Sequence, residues 1–147
     1  MDFKITTLFT FLYLLMYLVL SVYAAMTRRN QKVKVPVGSG NEKLQRASRA
    51  HGNFVEFTVI FLFSLLILEI NNTNTMYLCF IGTFFLIGRI SHAYSMIWKK
   101  GLFRMLGMVT TFLSYISNLI YLFNIILFTY WGIIILVQIT CETNKYK

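Results

Sequence analysis

The sequence predicts an all-α integral membrane protein, a bundle of four transmembrane helices, and three observations carry that expectation. Of 147 residues, 57% are hydrophobic and only 13% are charged, too little polar material to coat a soluble domain of this size. The apolar residues fall into four long runs with short polar connections between them. The basic residues gather in alternate connections, as the positive-inside bias requires of a multi-pass chain.

The first run, Ile5 to Met26, holds 22 residues without a charge. At ~1.5 Å per residue it covers about 33 Å, enough for the ~30 Å hydrocarbon core, so a helix is expected over about 5–26. Val22-Tyr23-Ala24 resembles a small-residue cleavage site, but the strong positive cluster, Arg28 and Arg29, follows the apolar run instead of preceding it. That charge order predicts an uncleaved span. The stretch from Lys34 to Asn41 contains the single proline, Pro36, with Gly38 and Gly40, and reads as a loop before a helix starting near Asn41 or Glu42.

The second run, His51 to Ile70, is interrupted only by Glu56 and Glu69, and predicts a helix over about 42–70. The third, Thr75 to Ile97, contains Arg89 and His92 and predicts a helix over about 75–97. Met105 to Cys141 is 37 residues long, roughly 55 Å as one helix and more than a bilayer needs. It either protrudes or hides a hairpin. With no proline and only Gly132 as a weak breaker near its end, one helix over about 103–138 is expected, with a fifth span as the alternative.

Arg28, Arg29, Lys32, Lys34, Lys43, Arg46 and Arg49 lie between spans one and two, and Lys99, Lys100 and Arg104 between spans three and four; the loop Asn71 to Thr75 carries no charge. Both termini should therefore face away from the cytoplasm, across the inner membrane if the source is bacterial. The net charge of +9 reflects topology and contact with anionic membrane lipid, so nucleic acid is not implied as a partner. Cys79 and Cys141 have no framework spacing, and His51 and His92 are too isolated for a metal site, so none is assigned. Asn71-Asn72-Thr73 matches a glycosylation acceptor in the outer loop.

Arg46, Arg49, Asn53 and Glu56 recur at steps of three, four and three, which puts them on one face of the second helix as it enters the membrane. Ionisable groups at bilayer depth cost roughly 2.5–3.5 kcal/mol each on insertion scales, so they usually face protein, water or a ligand. Arg89 and His92, three apart, share a face of the third helix, and Arg104 opens the fourth. One reading is a structural network, with Glu56 paired to Arg89. The other starts from charge: Arg46, Arg49, Arg89 and Arg104 face a single nearby membrane carboxylate, Glu56, which leaves roughly three cations for an anionic guest. A zwitterion with extra carboxylates fits that pattern.

Arg46-Ala47-Ser48-Arg49-Ala50-His51-Gly52-Asn53-Phe54-Val55-Glu56 resembles the second-helix signature of the MAPEG family, the membrane-associated proteins in eicosanoid and glutathione metabolism. Gly88-Arg89-Ile90-Ser91-His92-Ala93-Tyr94 resembles its third-helix signature, and the likeness in length and span layout covers the chain as one MAPEG-like membrane domain, 1–147, of the bacterial type. The resemblance implies a homotrimer with glutathione bound between subunits. Arg49, Asn53 and Glu56 would contact glutathione, joined by Arg89 and His92 and, less directly, by Arg46. Arg104 falls near the arginine that stabilises the glutathione thiolate in catalytic relatives. Gly52 stands where some eicosanoid-synthesising relatives carry arginine, and Met96 where they carry tyrosine, which weakens any claim to their chemistry.

The implied activity is that of a glutathione transferase or peroxidase, with a hydrophobic electrophile or lipid hydroperoxide arriving from the bilayer. A thiol of pKa ~8.5 is mostly protonated at neutral pH, and an adjacent guanidinium favours the nucleophilic anion. A non-catalytic lipid-binding or scaffold protein is the alternative. A small multidrug exporter is weaker, because the first span has no carboxylate and the polar residues gather at one end.

Overall fold

The computed structural model describes residues 4–30 and 41–144, with side chains through 136. Four helices make up the described chain: α1 (Lys4–Asn30), α2 (Glu42–Ile70), α3 (Thr75–Trp98) and α4 (Gly101–Asn144). Each is long and apolar enough to cross a membrane. The loop expected around Pro36 and the side chain of Cys141 lie outside the described residues.

Helix limits follow local chemistry. α1 continues past Met26 through Arg28 and Arg29, whose cations suit a helix C-terminus. Asn41 caps α2, its Oδ1 accepting from Leu44 N at 3.1 Å. Asn74 caps α3 in the same way through Met76 N at 2.8 Å. Asn71 to Thr73, the glycosylation-like triplet, forms the tight turn from α2 to α3, with Asn72 at φ 54°, a left-handed conformation that asparagine tolerates. Lys99 ends α3 at φ 59°, and Lys100 N then donates back to Ser95 O at 3.2 Å.

Consecutive helices are antiparallel neighbours. At the end of the bundle where α1 begins, Glu69 near the close of α2 accepts from Ile5 N at 2.9 Å and Thr6 N at 2.7 Å, so a carboxylate satisfies two orphan amides at the positive end of α1. At the other end, Lys99 Nζ lies 2.8 Å from Glu42 and ties the end of α3 to the start of α2. Between these ends, Tyr13, Phe61 and Phe85 form an aromatic centre, with Phe61 and Phe85 stacked at 3.8 Å. Tyr13 hydroxyl donates to Gly82 O at 2.9 Å, so its polar tip is satisfied inside the bundle.

α3 and α4 cross most closely at Gly88 and Gly107. A Cβ on Gly107 would lie 2.7 Å from Gly88 O and 2.7 Å from His92 Cβ, so only glycine permits this backbone approach. Farther along, Tyr77 hydroxyl donates to Asn118 Oδ1, and Asn118 Nδ2 donates to Ser64 Oγ at 2.8 Å, which joins α3, α4 and α2. Beyond that level α4 leaves the bundle. Residues 126–136 are all exposed, and the helix continues unbroken, without the hairpin that a fifth span requires.

Candidate functional site

At the end of the bundle where Glu42 meets Lys99, α2, α3 and α4 splay around a cavity of about 410 Å³. Arg49, Gly52, Asn53 and Glu56 line it from α2, His92 and Met96 from α3, and Arg104 and Met108 from α4. The α2 contribution follows directly from helical spacing: the one-face rhythm read in the sequence is the wall of this cavity. A second cavity of about 270 Å³ shares Arg49, Met96 and Arg104 and extends the space toward Arg46 and Lys99.

Arg49, Glu56 and Arg104 are exposed to this space, and among the described residues none of them forms an ion pair. Two cations and one carboxylate thus face the same opening. His92 contributes from a largely buried position, 4% exposed.

Two expectations about charge need correction. Arg46 is not an unmatched cation: its Nη1 lies 2.6 Å from Glu42, one helical turn earlier, which also pairs with Lys99. Glu42 precedes the apolar run and so falls outside the membrane carboxylates, yet it lies close enough to neutralise Arg46. Nor does Arg89 pair with Glu56. It is 1% exposed and lies behind the cavity wall, where Nη1 donates to Asn53 Oδ1 at 3.1 Å and Nη2 donates to Gly107 O at 3.1 Å and to Thr111 Oγ1. Phe57 and Phe85 approach its guanidinium at 5.0 and 5.6 Å from their ring centroids. Among the described residues its partners are neutral acceptors and rings, so it is a buried cation without a counter-ion there. It orients Asn53, which then has its amide hydrogens left for the cavity it lines.

Arg89 and His92 therefore share a helix face but do different work. Sixty degrees of helical rotation, the offset of three residues, is enough to send one inward and leave the other at the wall. Sequence reasoning missed Gly107 and Thr111 as the partners of Arg89, and Ser48 and Met108 as lining groups. A signal existed for the first pair: Gly107, Thr111, Ser114 and Asn118 repeat at helical spacing along a mostly apolar α4, and the last three are fully buried. A polar seam on a membrane helix marks the side that faces protein.

The family model of the MAPEG family matches residues 6–124. The chain belongs to the MAPEG family. Inner membrane protein YecN of Escherichia coli strain K12 is 31% identical over 118 residues, covering 73% of this chain and 90% of the relative. YecN of Escherichia coli O6:H1 matches with the same identity and coverage. No solved structure matches. The MAPEG match ends at the level where α4 parts from the bundle. The chain is thus a multi-pass integral membrane protein of a family concerned with glutathione and eicosanoid metabolism. Gly52 and Met96, the two expected departures from eicosanoid-synthesising relatives, both line the cavity of about 410 Å³, and a Cβ on Gly52 would meet nothing within 4 Å. The site is consequently roomier at that point than one filled by an arginine.

Proposed function

We propose that this protein binds glutathione in the cavity between α2, α3 and α4 and uses it as a transferase or peroxidase on apolar electrophiles or lipid hydroperoxides. The observation that carries the reading is the convergence of Arg49, Asn53, Glu56, His92 and Arg104 on one cavity of about 410 Å³, within the usual range for small-molecule sites. Glu56 suits the glutathione ammonium, and Arg49 suits a carboxylate, while Arg46 beyond it is already paired with Glu42. Asn53 offers amide donors fixed by Arg89. Arg104 is the catalytic candidate: its guanidinium stabilises the thiolate, lowering the fraction of thiol left protonated.

In conjugation the thiolate attacks a carbon bearing a halide, the C–S bond forms and halide departs with the bonding pair. With a hydroperoxide the thiolate attacks the O–O bond, and a second glutathione completes the reduction to alcohol, water and glutathione disulfide. The apolar substrate reaches the site from the bilayer, so binding both reactants at the headgroup boundary supplies orientation. The reading includes a homotrimer formed around this domain and both termini on the non-cytoplasmic side.

Detergent-purified protein should bind glutathione by isothermal titration and conjugate it to a chlorodinitrobenzene. Arg104→Ala should lower the conjugation rate at least about tenfold while leaving the oligomer intact. Failure to bind glutathione at millimolar concentration overturns the reading. A second reading, a non-catalytic MAPEG binder, is favoured by Met96 and Met108, which line the cavity with Arg104, since no tyrosine hydroxyl lines it among the described residues. Tight binding without turnover selects it.

A further inference from the structure

On the side of the α3–α4 pair away from the glutathione candidate site lies an apolar groove of about 540 Å³. Ile87, Ile90 and Tyr94 of α3 and Phe103 and Leu106 of α4 form its walls, at helical positions that alternate with His92, Met96, Arg104 and Met108 of the cavity. The tight Gly88–Gly107 crossing separates the two spaces.

We propose that this groove holds one acyl chain of an anionic phospholipid whose headgroup sits at Lys100. The groove offers hydrocarbon and little else. Two of its three hydroxyl-bearing residues are satisfied within the protein: Ser91 Oγ donates to Phe103 O at 3.0 Å, and Thr110 Oγ1 donates to Leu106 O and Gly107 O, each at 3.0 Å; the third is Tyr94, whose ring packs against Trp98 and Phe103. Apart from the Tyr94 hydroxyl a polar ligand finds no partner there, whereas an alkyl chain needs none. Both helices bounding the groove meet at the Lys99–Lys100 turn, so the channel ends at the headgroup level. Tyr94 stacks on Trp98 at 4.8 Å and meets Phe103 edge-on at 5.5 Å, an aromatic cluster of the kind that marks the membrane interface.

The charge at this end selects the headgroup. Lys99 is committed to Glu42 at 2.8 Å. Lys100 is exposed and has no ion pair among the described residues. The first turn of α4 carries no acidic residue, so its positive helix end adds to the same field. A phosphodiester with net negative charge complements this corner, and a zwitterionic headgroup brings its own cation to it. This inference stands independently of glutathione binding.

The test is native mass spectrometry of the full chain in mild detergent, with dioleoylphosphatidylglycerol and dioleoylphosphatidylcholine as competing probes. Retention of the glycerol lipid should exceed that of the choline lipid roughly fivefold, the preference expected from one interfacial basic residue. Lys100→Ala should bring the ratio to about one while leaving choline-lipid retention unchanged. Leu106→Trp and Ile87→Trp fill the groove from opposite walls at exposed positions, 45% and 58%, and should each reduce retention of both lipids. Equal retention by the wild-type protein overturns the proposal. So does a preference that survives Lys100→Ala, or unaltered retention in both tryptophan variants, which would reveal an annular lipid coat instead of a seated chain.

Discussion

Replacing Asn53 with aspartate should stabilise the protein while weakening its grip on an anionic guest. Asn53 Oδ1 accepts from Arg89 Nη1 at 3.1 Å, and the guanidinium is buried with no carboxylate beside it. A unit charge pair at that separation is worth about 5 kcal/mol at an effective dielectric of about 20. Desolvating the new carboxylate consumes several kcal/mol of this, and the half-buried position moderates the loss, so a net gain of roughly 1–2 kcal/mol is expected. For a chain of this length that corresponds to a rise in Tm of about 3–8 °C. On the cavity side, the amide donors become a negative charge, and glutathione affinity should fall at least about tenfold. The assays are thermal unfolding in detergent and isothermal titration of the same preparation. Asn53→Leu is the control: it deprives Arg89 of an acceptor and should cost roughly 1.5–3 kcal/mol. A lower Tm for Asn53→Asp refutes the account of Arg89 as a cation lacking a counter-ion. A higher Tm with unchanged binding refutes the placement of Asn53 at the ligand.

Three further outcomes follow from the fold. Glu69→Ala removes the carboxylate that accepts from Ile5 N and Thr6 N, and should lower stability by about 1–2 kcal/mol, with increased hydrogen exchange confined to the first turn of α1. Gly107→Ala drives a methyl group to 2.7 Å from Gly88 O, and should cost about 1–3 kcal/mol in detergent unfolding while also lowering glutathione binding through His92. Ending the chain after Phe128 should change Tm little, because residues 129–136 are exposed throughout; a large loss of stability would show that α4 is held by contacts within the subunit.

The four helices were legible because bilayer depth imposes a length and an apolar composition that few residues escape. The α2 side of the cavity was legible for a related reason: a polar stripe on a membrane helix must face something other than lipid, and Arg49, Asn53 and Glu56 do. Periodicity could not say which of two neighbouring polar residues turns inward, so Arg89 and His92 were grouped together although one is interior and the other borders the cavity. The pairing of Arg46 was hidden because Glu42 belongs to the polar approach to α2, and its proximity to Lys99 depends on the tertiary return of α3. The acceptors of Arg89 on α4 are ordinary glycine and threonine, whose role emerges only when the Gly88–Gly107 crossing brings the helices together.

The length of α4 also bears on where the molecule can reside. Its 44 residues reach about 66 Å, some twice the hydrocarbon depth of an average bilayer. Phe128, Tyr130, Trp131 and Ile133 to Leu136 form a greasy mast above the three shorter helices, and each square ångström left in water costs about 25 cal/mol. Tilt, local thickening of the lipid or shelter against another protein all relieve that mismatch, and a thicker membrane relieves more of it. A membrane that matches this helix would favour the protein over one that does not, although residues 126–136 of α4 are exposed and contribute nothing to the core of their own bundle.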